Sequence, residues 1–380
     1  MKNEQILGLQ TPCLVLDRTK FIKNIDNMKA HLTSLGVSLR PHVKTAKSLE
    51  AARCLFNGNT GPITVSTLRE AEYFFEGGFS DILYAVGIVP HKLPRVKSLL
   101  KAGARVLLIL DSLEMARSVT EYALQNNIVL EILIEIDSDM HRAGLSPDDP
   151  LVSEIAVVLN DCPATHFMGF MTHAGESYNC TTPAEIKKHA QIERDAVAFA
   201  AKQVEKFGVS SKIISAGSTP TAHFSDDWTG VTEVRAGVFV FQDLFQAGLG
   251  VCDVDDIALS VLTTVTGHKK NQNRIIVDAG GLALSKDRGT AAQKFDRLYG
   301  LVCSAEDGTL IPDLIVEAAN QEHGLITSTS GKINFAEFPI GSRLRILPNH
   351  VCMTAAAHSH YYVTDDNQSV TDVWQRCSGW

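Results

Sequence analysis

The chain has 380 residues, of which 45% are hydrophobic and 21% charged, and its formal net charge is −8. This composition is typical of a globular protein, and an acidic balance without a basic block excludes nucleic acid as an expected partner. No apolar run reaches the roughly 18 residues that a membrane span needs, so we expect no membrane contact. The first residues lack the apolar core of a secretory signal, and the eight cysteines include no C-x-x-C pair. Together these features predict reduced thiols in a cytoplasmic protein.

Residues 18–250 alternate short β-branched runs with longer helical patterns. This alternation predicts βαβ units and a parallel sheet, and several runs are apolar throughout, as in strands covered on both faces. Eight units over about 230 residues have the size of a (β/α)8 TIM barrel, although alternation alone leaves a doubly wound open sheet as an alternative. The predicted strands are Ser38–Lys44, Ile63–Thr67, Asp81–Val86, Arg105–Asp111, Leu130–Asp137, Phe167–His173, Lys212–Gly217 and Thr232–Phe239.

Residues 251–380 have short strand-like runs separated by turns rich in Gly, Asn and Asp, with little helical periodicity. This pattern predicts a mainly antiparallel β domain. A further strand at Pro12–Asp17 could join either part, and we assign residues 1–17 plus 251–380 to the β domain. Its other predicted strands are Ala258–Thr266, Arg274–Asp278, Arg343–Ile346, His358–Val363 and Ser369–Trp374.

Reactive side chains follow the predicted barrel strands at their C-terminal ends, where barrel enzymes carry their sites. Lys44 ends the first strand, where it is either a solvated lysine or an amine that holds a carbonyl cofactor. Arg142 follows the fifth strand, and His173 ends the sixth, either as a core histidine or stacked on a flat cofactor. The seventh strand ends in S-A-G-S-T at 215–219 and the eighth carries R-A-G-V at 235–238. Small residues on these two loops let backbone amides approach an anion, which predicts a phosphate site.

A second pair of candidates lies in the β domain, where His350 and Cys352 stand two positions apart in P-N-H-V-C. On a strand such residues point to the same face, so the two could chelate one divalent ion and leave positions for water and substrate. The alternative is a buried cysteine beside a hydrogen-bonded histidine. His358 and His360 are near enough in the sequence to be further ligands.

The combination resembles the fold-type III pyridoxal phosphate enzymes, which are alanine racemase-like barrels followed by a β domain. More narrowly, it resembles the branch of D-serine dehydratase, D-threo-3-hydroxyaspartate dehydratase and D-threonine aldolase. The resemblance covers nearly the whole chain and is carried by T-P-C-L-V-L-D at 11–17, R-P-H-V-K-T-A-K at 40–47, V-S-T-L-R-E-A at 65–71, H-R-A-G at 141–144, T-H-A-G-E-S-Y at 172–178 and P-N-H-V-C-M-T-A-A-A-H at 348–358.

Position by position, the resemblance implies that Lys44 is the Schiff-base lysine and that Arg142 lies near the phenolic oxygen of the cofactor. It places His173 against the pyridine ring and Tyr178 near the ring nitrogen. The residues that it assigns to the phosphate are Gly217, Ser218, Thr219, Gly237 and Val238, and those that it assigns to a divalent metal are His350 and Cys352. Ligation by histidine and cysteine favours zinc, with manganese, cobalt or magnesium as alternatives.

Two departures from related enzymes favour dehydration. The aldolases of the branch have aspartate where this chain has Cys352, and alanine racemases use a β-domain tyrosine for which no motif is found here. The resemblance therefore implies a lyase that converts a small D-3-hydroxy amino acid, such as D-threo-3-hydroxyaspartate or D-serine, to a 2-oxo acid and ammonia. Lys44 would remove the Cα proton and the metal would assist departure of the β-hydroxyl group.

Two other functions remain open at this point. A D-threonine aldolase would use the same cofactor and metal but release glycine and an aldehyde. A pyridoxal phosphate homeostasis protein would have the barrel and the lysine without catalysis, but such proteins lack the second domain. By analogy with the fold, we expect a homodimer.

Overall fold

The computed structural model describes residues 4–140 and 142–380, so His141 of the H-R-A-G segment lies outside the described residues. The chain divides into two compact units. The β unit comprises the residues as far as Asn27, Ser48–Ala51 and Val238–Ser378, and the barrel unit comprises Met28–Lys47, Ala52–Gly237 and the last two residues. The domain boundaries predicted at 17/18 and 250/251 stay a prediction.

The described residues form seventeen strands and eleven α-helices. The strands are β1 (Cys13–Asp17), β2 (Ser38–Leu39), β3 (Ile63–Val65), β4 (Asp81–Tyr84), β5 (Arg105–Leu110), β6 (Leu130–Ile136), β7 (Thr165–Thr172), β8 (Ile213–Ala216), β9 (Glu233–Val234), β10 (Leu259–Lys269), β11 (Arg274–Val277), β12 (Leu301–Ser304), β13 (Leu310–Ala319), β14 (Gly324–Ser328), β15 (Arg343–Leu347), β16 (His360–Thr364) and β17 (Asp372–Gln375). The helices are α1 (Arg18–Ser34), α2 (Leu49–Cys54), α3 (Leu68–Glu76), α4 (Leu93–Lys101), α5 (Leu113–Asn126), α6 (Pro150–Asp161), α7 (Pro183–Glu205), α8 (Thr219–Phe224), α9 (Leu244–Gly248), α10 (Gly281–Leu284) and α11 (Val351–Ala356).

The barrel unit contains β2 to β9, which are all parallel and follow the order β2-β9-β8-β7-β6-β5-β4-β3. A parallel bridge between His42 and Thr64 then connects the two edges, because it joins the segment after β2 to β3. The amide of Val43 donates to the carbonyl of Thr64, and the amide of Thr64 donates to the carbonyl of Pro41. The sheet therefore closes, and the predicted (β/α)8 barrel is confirmed.

The first and last barrel strands are shorter than predicted. The strand predicted at Ser38–Lys44 ends at Leu39, since Pro41 has no N–H group and interrupts the ladder. Pairing continues as single hydrogen bonds, with the amides of Arg40 and His42 donating to the next strand. The strand predicted at Thr232–Phe239 is likewise only Glu233–Val234, and a 3-10 helix begins at Val238.

A layer of ion pairs closes the barrel at the N-terminal ends of its strands. The buried guanidinium of Arg40 donates to Glu233 Oε2 and to Asp81 Oδ1, each at 2.7 Å. Asp81 also forms an ion pair with Arg105. Strand alternation puts Leu83 and Leu107, which follow Asp81 and Arg105 by two positions, on the same inward face. The apolar cluster that includes them consists of Leu83, Leu107, Ile109, Leu133, Met168, Met171 and Ile213. Because this end is filled, a ligand site belongs at the C-terminal ends of the strands.

The β unit is a nine-stranded sheet in the order β11-β14-β13-β12-β15-β10-β1-β16-β17. Strand β10 also pairs with β11, so six antiparallel strands form a closed ring. Strand β1 pairs antiparallel with β10 and parallel with β16, so the opening strand belongs to this unit. The predicted antiparallel β domain is confirmed.

The sequence patterns missed β12, β13 and β14. Within β13, Pro312 interrupts the alternation and Asp313 has a positive φ of 65°. The register also shifts between Val316 and Ala318. A bulge moves later side chains to the opposite face, which explains why a simple two-residue period does not reveal this strand.

Two further findings concern the expectations about membranes and thiols. No helix of the described residues is long and apolar enough to cross a membrane. All eight cysteines are free thiols.

Candidate active site

Lys44 lies in a turn just beyond the bridge residue His42, at the C-terminal end of the barrel. Its side chain is exposed. The amide of Lys44 is 3.4 Å from His42 Nδ1, and Nε2 of the same ring is 3.3 Å from Ser66 Oγ. An accessible amine therefore stands beside an imidazole that is held through both ring nitrogens.

His173 follows β7 and is held by the loop after β8. Its Nδ1 is 3.3 Å from the carbonyl oxygen of Gly217, and its ring centre is 6.0 Å from that of Tyr178. Burial lowers the pKa of His173 to about 3, helped by the positive charges of Lys44 and Arg142. A neutral, anchored imidazole is suited to pack against a flat aromatic ring.

Three cations surround the two imidazoles. Burial also lowers the pKa of His42 well below its usual value, and the charges of Lys44 and Arg235 act in the same direction. Arg235 is buried and donates from Nη1 to Ser215 Oγ at 2.6 Å. Arg142 is exposed in the loop after β6. Both imidazoles are neutral, and the carboxylates of Glu135, Glu193 and Glu233 offset the charge of Arg235. The exposed cations Lys44 and Arg142 are therefore better placed than Arg235 to attract an anionic ligand.

The low pKa of His173 predicts acid sensitivity of the cofactor-free protein. The unfolded chain binds a proton near pH 6.5 and the folded chain only near 3, so stability falls as the pH decreases between these values. We expect the thermal midpoint to be lower at about pH 5 than at about pH 7.5, and this decrease to be smaller in His173→Asn. The exposed His166 on the same strand provides the control, since His166→Asn is expected to retain the wild-type pH dependence. Equal pH dependence of His173→Asn and wild type would contradict this account.

In the loop after β8, two backbone amides donate hydrogen bonds to side chains of the protein. The amide of Gly217 donates to Glu193 Oε1 and that of Ser218 to Thr221 Oγ1, each at 2.9 Å. Gly217 has a φ of +114°, and a Cβ there would lie 2.7 Å from the carbonyl oxygen of Arg235. Only glycine fits this approach, so the glycine shapes the loop whatever it binds.

The other predicted phosphate residues occupy the ends of neighbouring elements. Thr219 is buried as the first residue of α8. A Cβ on Gly237 would lie 2.8 Å from the carbonyl oxygen of His42, so this glycine permits close packing beside the lysine turn. Val238 belongs to the β unit and starts its 3-10 helix.

The candidate metal pair lies in the β unit, but not on a strand as predicted. Strand β15 ends at Leu347, and His350 is the N-cap residue of α11, which begins at Val351. The run C-M-T-A-A-A after Val351 has good helix formers, and the carbonyl of His350 accepts the amide of Thr354. The two side chains nevertheless touch, because the imidazole of His350 forms a hydrogen bond with the Cys352 thiol.

Two carboxylates fix this pair. Asp287 Oδ2 lies 2.6 Å from His350 Nδ1, which leaves Nε2 as the ring nitrogen for another ligand. Asp243 is buried, and its Oδ2 accepts the amide of Val351, between the two candidate ligands, at 3.0 Å. Burial lowers the pKa of His350, but the interaction with Cys352, the charge of Asp243 and the hydrogen bond to Asp287 outweigh it and raise the pKa to about 10.

Asn349 anchors the segment from the other side. It donates from Nδ2 to the carbonyl of Leu298 at 2.6 Å, and its Oδ1 accepts the amide of Thr290. The suggested further ligands are engaged elsewhere, with His358 Nε2 at 3.0 Å from the carbonyl of Ala283 and His360 Nδ1 at 2.8 Å from a serine hydroxyl. Within the described residues, no group of three or more His, Cys, Asp or Glu side chains is placed to hold a metal.

Sequence reasoning missed three residues that the structure shows in these sites. His42 belongs to the R-P-H-V-K segment, but the sequence pattern assigns it no role. Glu193 was masked by the apolar stripe of α7, although a carboxylate on the buried face of a helix is itself a signal. Asp287 contacts His350 from 63 residues away, and no local pattern indicates it.

The residues fit both groups that the resemblance implies. The barrel unit offers the exposed amine of Lys44, two neutral imidazoles and the exposed guanidinium of Arg142, a set that suits an aromatic aldehyde with a phosphate group. The β unit offers an oriented imidazole nitrogen beside a thiol, a donor set that suits a borderline-soft divalent ion.

Comparison with known families matches both parts of the chain. Residues 16–244 match the family described as alanine racemase, N-terminal domain, and residues 258–364 match the putative serine dehydratase domain.

Several known proteins are similar over 93% or more of their length. The chain is 43% identical to D-threo-3-hydroxyaspartate dehydratase of Delftia sp. (strain HT23), over 99% of this chain and all of that protein. It is 32% identical to D-serine dehydratase of Dictyostelium discoideum, over all of this chain and 99% of that one. D-threonine aldolase of Arthrobacter sp. is 31% identical, over 98% of this chain and 93% of that one.

The structure of the Delftia dehydratase superposes with a TM-score of 0.95 at 42% identity, covering 99% of this chain and all of that one. The same dehydratase has been solved with a cysteine replaced by alanine, in a metal-free form, and with a histidine replaced by alanine. Those two positions are two residues apart, as His350 and Cys352 are here. The chain therefore belongs to the pyridoxal phosphate-dependent, alanine racemase-like family, in the branch that carries a serine dehydratase domain after the barrel.

Proposed function

We propose that this protein is a pyridoxal phosphate- and metal-dependent dehydratase that converts a D-3-hydroxy amino acid to a 2-oxo acid and ammonia. The observation that carries this proposal is the Cys352 thiol in contact with the His350 imidazole. Aldolases of the branch have aspartate at the position of Cys352, so the thiol favours the dehydratases. The 43% identity to a 3-hydroxyaspartate dehydratase supports the same choice.

In the barrel unit, Lys44 would hold the cofactor and then, as a free amine, take the proton from the substrate Cα atom. Pyridoxal phosphate, when bound, supplies an electron sink for that carbon. His173 would pack on the ring while staying uncharged, so that it does not compete with Lys44 for the proton. Arg142 would lie near the phenolic oxygen of the ring and Tyr178 near the ring nitrogen. The two loops that carry Gly217, Ser218, Thr219, Gly237 and Val238 would form the phosphate site, with Gly217 and Ser218 shaping the first loop through their bonds to Glu193 and Thr221.

In the β unit, His350 and Cys352 would hold a divalent ion. Such an ion is a Lewis acid, which is what the departure of a β-hydroxyl group requires. Asp287 would keep the proton of His350 on Nδ1 and so leave Nε2 available as the ligand atom. The thiol–imidazole donor set supports zinc, and manganese, cobalt or magnesium are the alternatives to be compared.

The proposed substrates are D-threo-3-hydroxyaspartate and D-serine, which are the substrates that the names of the dehydratase relatives indicate. We further propose a homodimer located in the cytoplasm. The dimer rests on analogy with the fold, and the location is supported by eight free cysteines. Light scattering of the purified protein tests the dimer.

A panel of 3-hydroxy amino acids tests the reaction. We expect ammonia release from the D isomers of 3-hydroxyaspartate and serine, and none from the L isomers, because Lys44 approaches Cα from one side. Glycine and aldehyde without ammonia would instead establish an aldolase. Cofactor binding without turnover of any member of the panel would indicate a homeostasis protein.

A further inference from the structure

Glu193 is a buried carboxylate on a helix face that is otherwise apolar. It lies in the middle of α7, and its side chain is fully buried. The other buried residues of this helix are Ile186, Ala190, Ala196, Val197, Ala200, Ala201 and Val204. Burying a charge is costly unless it is satisfied by hydrogen bonds, so its contacts indicate what the charge does.

All three contacts of Glu193 lead to the loops after β7 and β8. Its Oε1 accepts the amides of Ala174 and Gly217, and its Oε2 accepts the hydroxyl of Thr221, each at 2.9 Å. The Thr221 oxygen in turn accepts the amide of Ser218 at 2.9 Å. One carboxylate thus joins the residue after His173 to the segment that begins α8.

This arrangement separates two tasks within the loop. Because the amides of Gly217 and Ser218 are directed toward Glu193 and Thr221, they are not aimed at a ligand. A phosphate group would instead meet the donors that follow, at Thr219 and Gly237. The carbonyl of Gly217 faces His173 Nδ1 at 3.3 Å, so the same anchor also sets the imidazole.

We propose that Glu193 is a positioning residue that fixes the loops after β7 and β8 in the shape that receives the cofactor's phosphate group. This inference rests on the proposed function only in requiring that the barrel binds pyridoxal phosphate. Burial raises the pKa of Glu193, whereas the amides of Ala174 and Gly217, the positive charge of Arg235 and the Thr221 hydroxyl act in the opposite direction. In the ionised form both oxygens of the carboxylate accept hydrogen bonds.

The test compares two ligands that differ only in the phosphate group. Cofactor-free wild type, Glu193→Ala and Glu193→Gln are titrated with pyridoxal phosphate and with pyridoxal, and each Kd is measured from the absorbance of the bound aldehyde. In Glu193→Ala the amides of Ala174 and Gly217 lose their acceptor. We expect the Kd for pyridoxal phosphate to rise about tenfold or more and that for pyridoxal to change by less than about twofold.

Glu193→Gln keeps the size of the side chain and one acceptor oxygen, so it serves if the alanine variant does not fold. Its amide group meets Thr221 with a donor instead of an acceptor. We expect the ratio of the two Kd values to rise about threefold. Glu185→Gln, on the same helix but in its exposed N-terminal capping box, is the control and should leave the ratio unchanged.

The outcomes are separable. A parallel weakening of both ligands, or an unchanged ratio in the variants that fold, would reduce Glu193 to a structural anchor and overturn the proposal. Failure of the wild type itself to bind pyridoxal phosphate would overturn the proposed function instead.

Discussion

Lys44→Ala is expected to lose ammonia release by about 10³-fold or more while folding normally. The side chain is exposed in a turn, so its removal leaves no cavity in the core. It does remove the amine that we assign both to cofactor attachment and to proton removal at Cα. Ammonia release, thermal unfolding and the absorbance of added pyridoxal phosphate measure the three consequences separately.

Lys188→Ala is the matched control for this variant, because Lys188 is an exposed lysine on α7 away from the strand ends. It should retain wild-type turnover and the wild-type absorbance. Substantial residual turnover in Lys44→Ala would exclude Lys44 as the base. In that case another amine or imidazole of the cluster would have to remove the proton.

Removing either member of the pair His350 and Cys352 is expected to stop elimination without stopping proton removal. We expect His350→Ala and Cys352→Ala to lower ammonia release by about 10²-fold or more, because each removes one of the two side chains that we propose as ligands of a Lewis acid. Exchange of the substrate Cα proton with deuterated solvent should continue, since Lys44 lies in the other unit. Metal content of the purified variants should fall in parallel.

Treatment of the wild type with a chelator should reproduce the variants, and adding back a divalent ion should restore ammonia release. Comparing zinc, manganese, cobalt and magnesium in this step identifies the ion. Cys162→Ala removes a free thiol at the end of α6 and should leave metal content and turnover unchanged. Elimination that is indifferent to the chelator would return His350 and Cys352 to a purely structural role.

The repeating part of the fold could be predicted from the sequence. Apolar runs such as Arg105–Leu110 announce buried parallel strands through local composition alone, and all eight barrel strands lie within the predicted segments or one or two residues from them. Strand β13 was not predicted because Pro312 and Asp313 interrupt its alternation of apolar and polar residues. Local patterns therefore fail where a strand bends.

The site was only partly predictable. Lys44 and His173 could be predicted because barrel enzymes carry their active sites at the C-terminal ends of the barrel strands. The two-residue spacing predicted His350 and Cys352 as a pair on one face of a strand. In the structure the two residues instead lie at the N-terminus of a helix. Glu193 and Asp287 act across long sequence separations, where only the tertiary fold brings a carboxylate to its donor.

The position of β1 has a consequence for synthesis of the chain. This strand lies between β10 and β16, so its partners are made only when Leu259–Lys269 and His360–Thr364 have been translated. The barrel strands end at Val234 and can close earlier on the ribosome. Because domains generally fold as units during synthesis, the barrel is expected to form first, and one edge of the β1 segment stays unpaired until β16, in the last tenth of the chain, emerges. A nascent chain arrested before His360 should therefore expose this segment to chaperones, whereas release of the full chain should bury it.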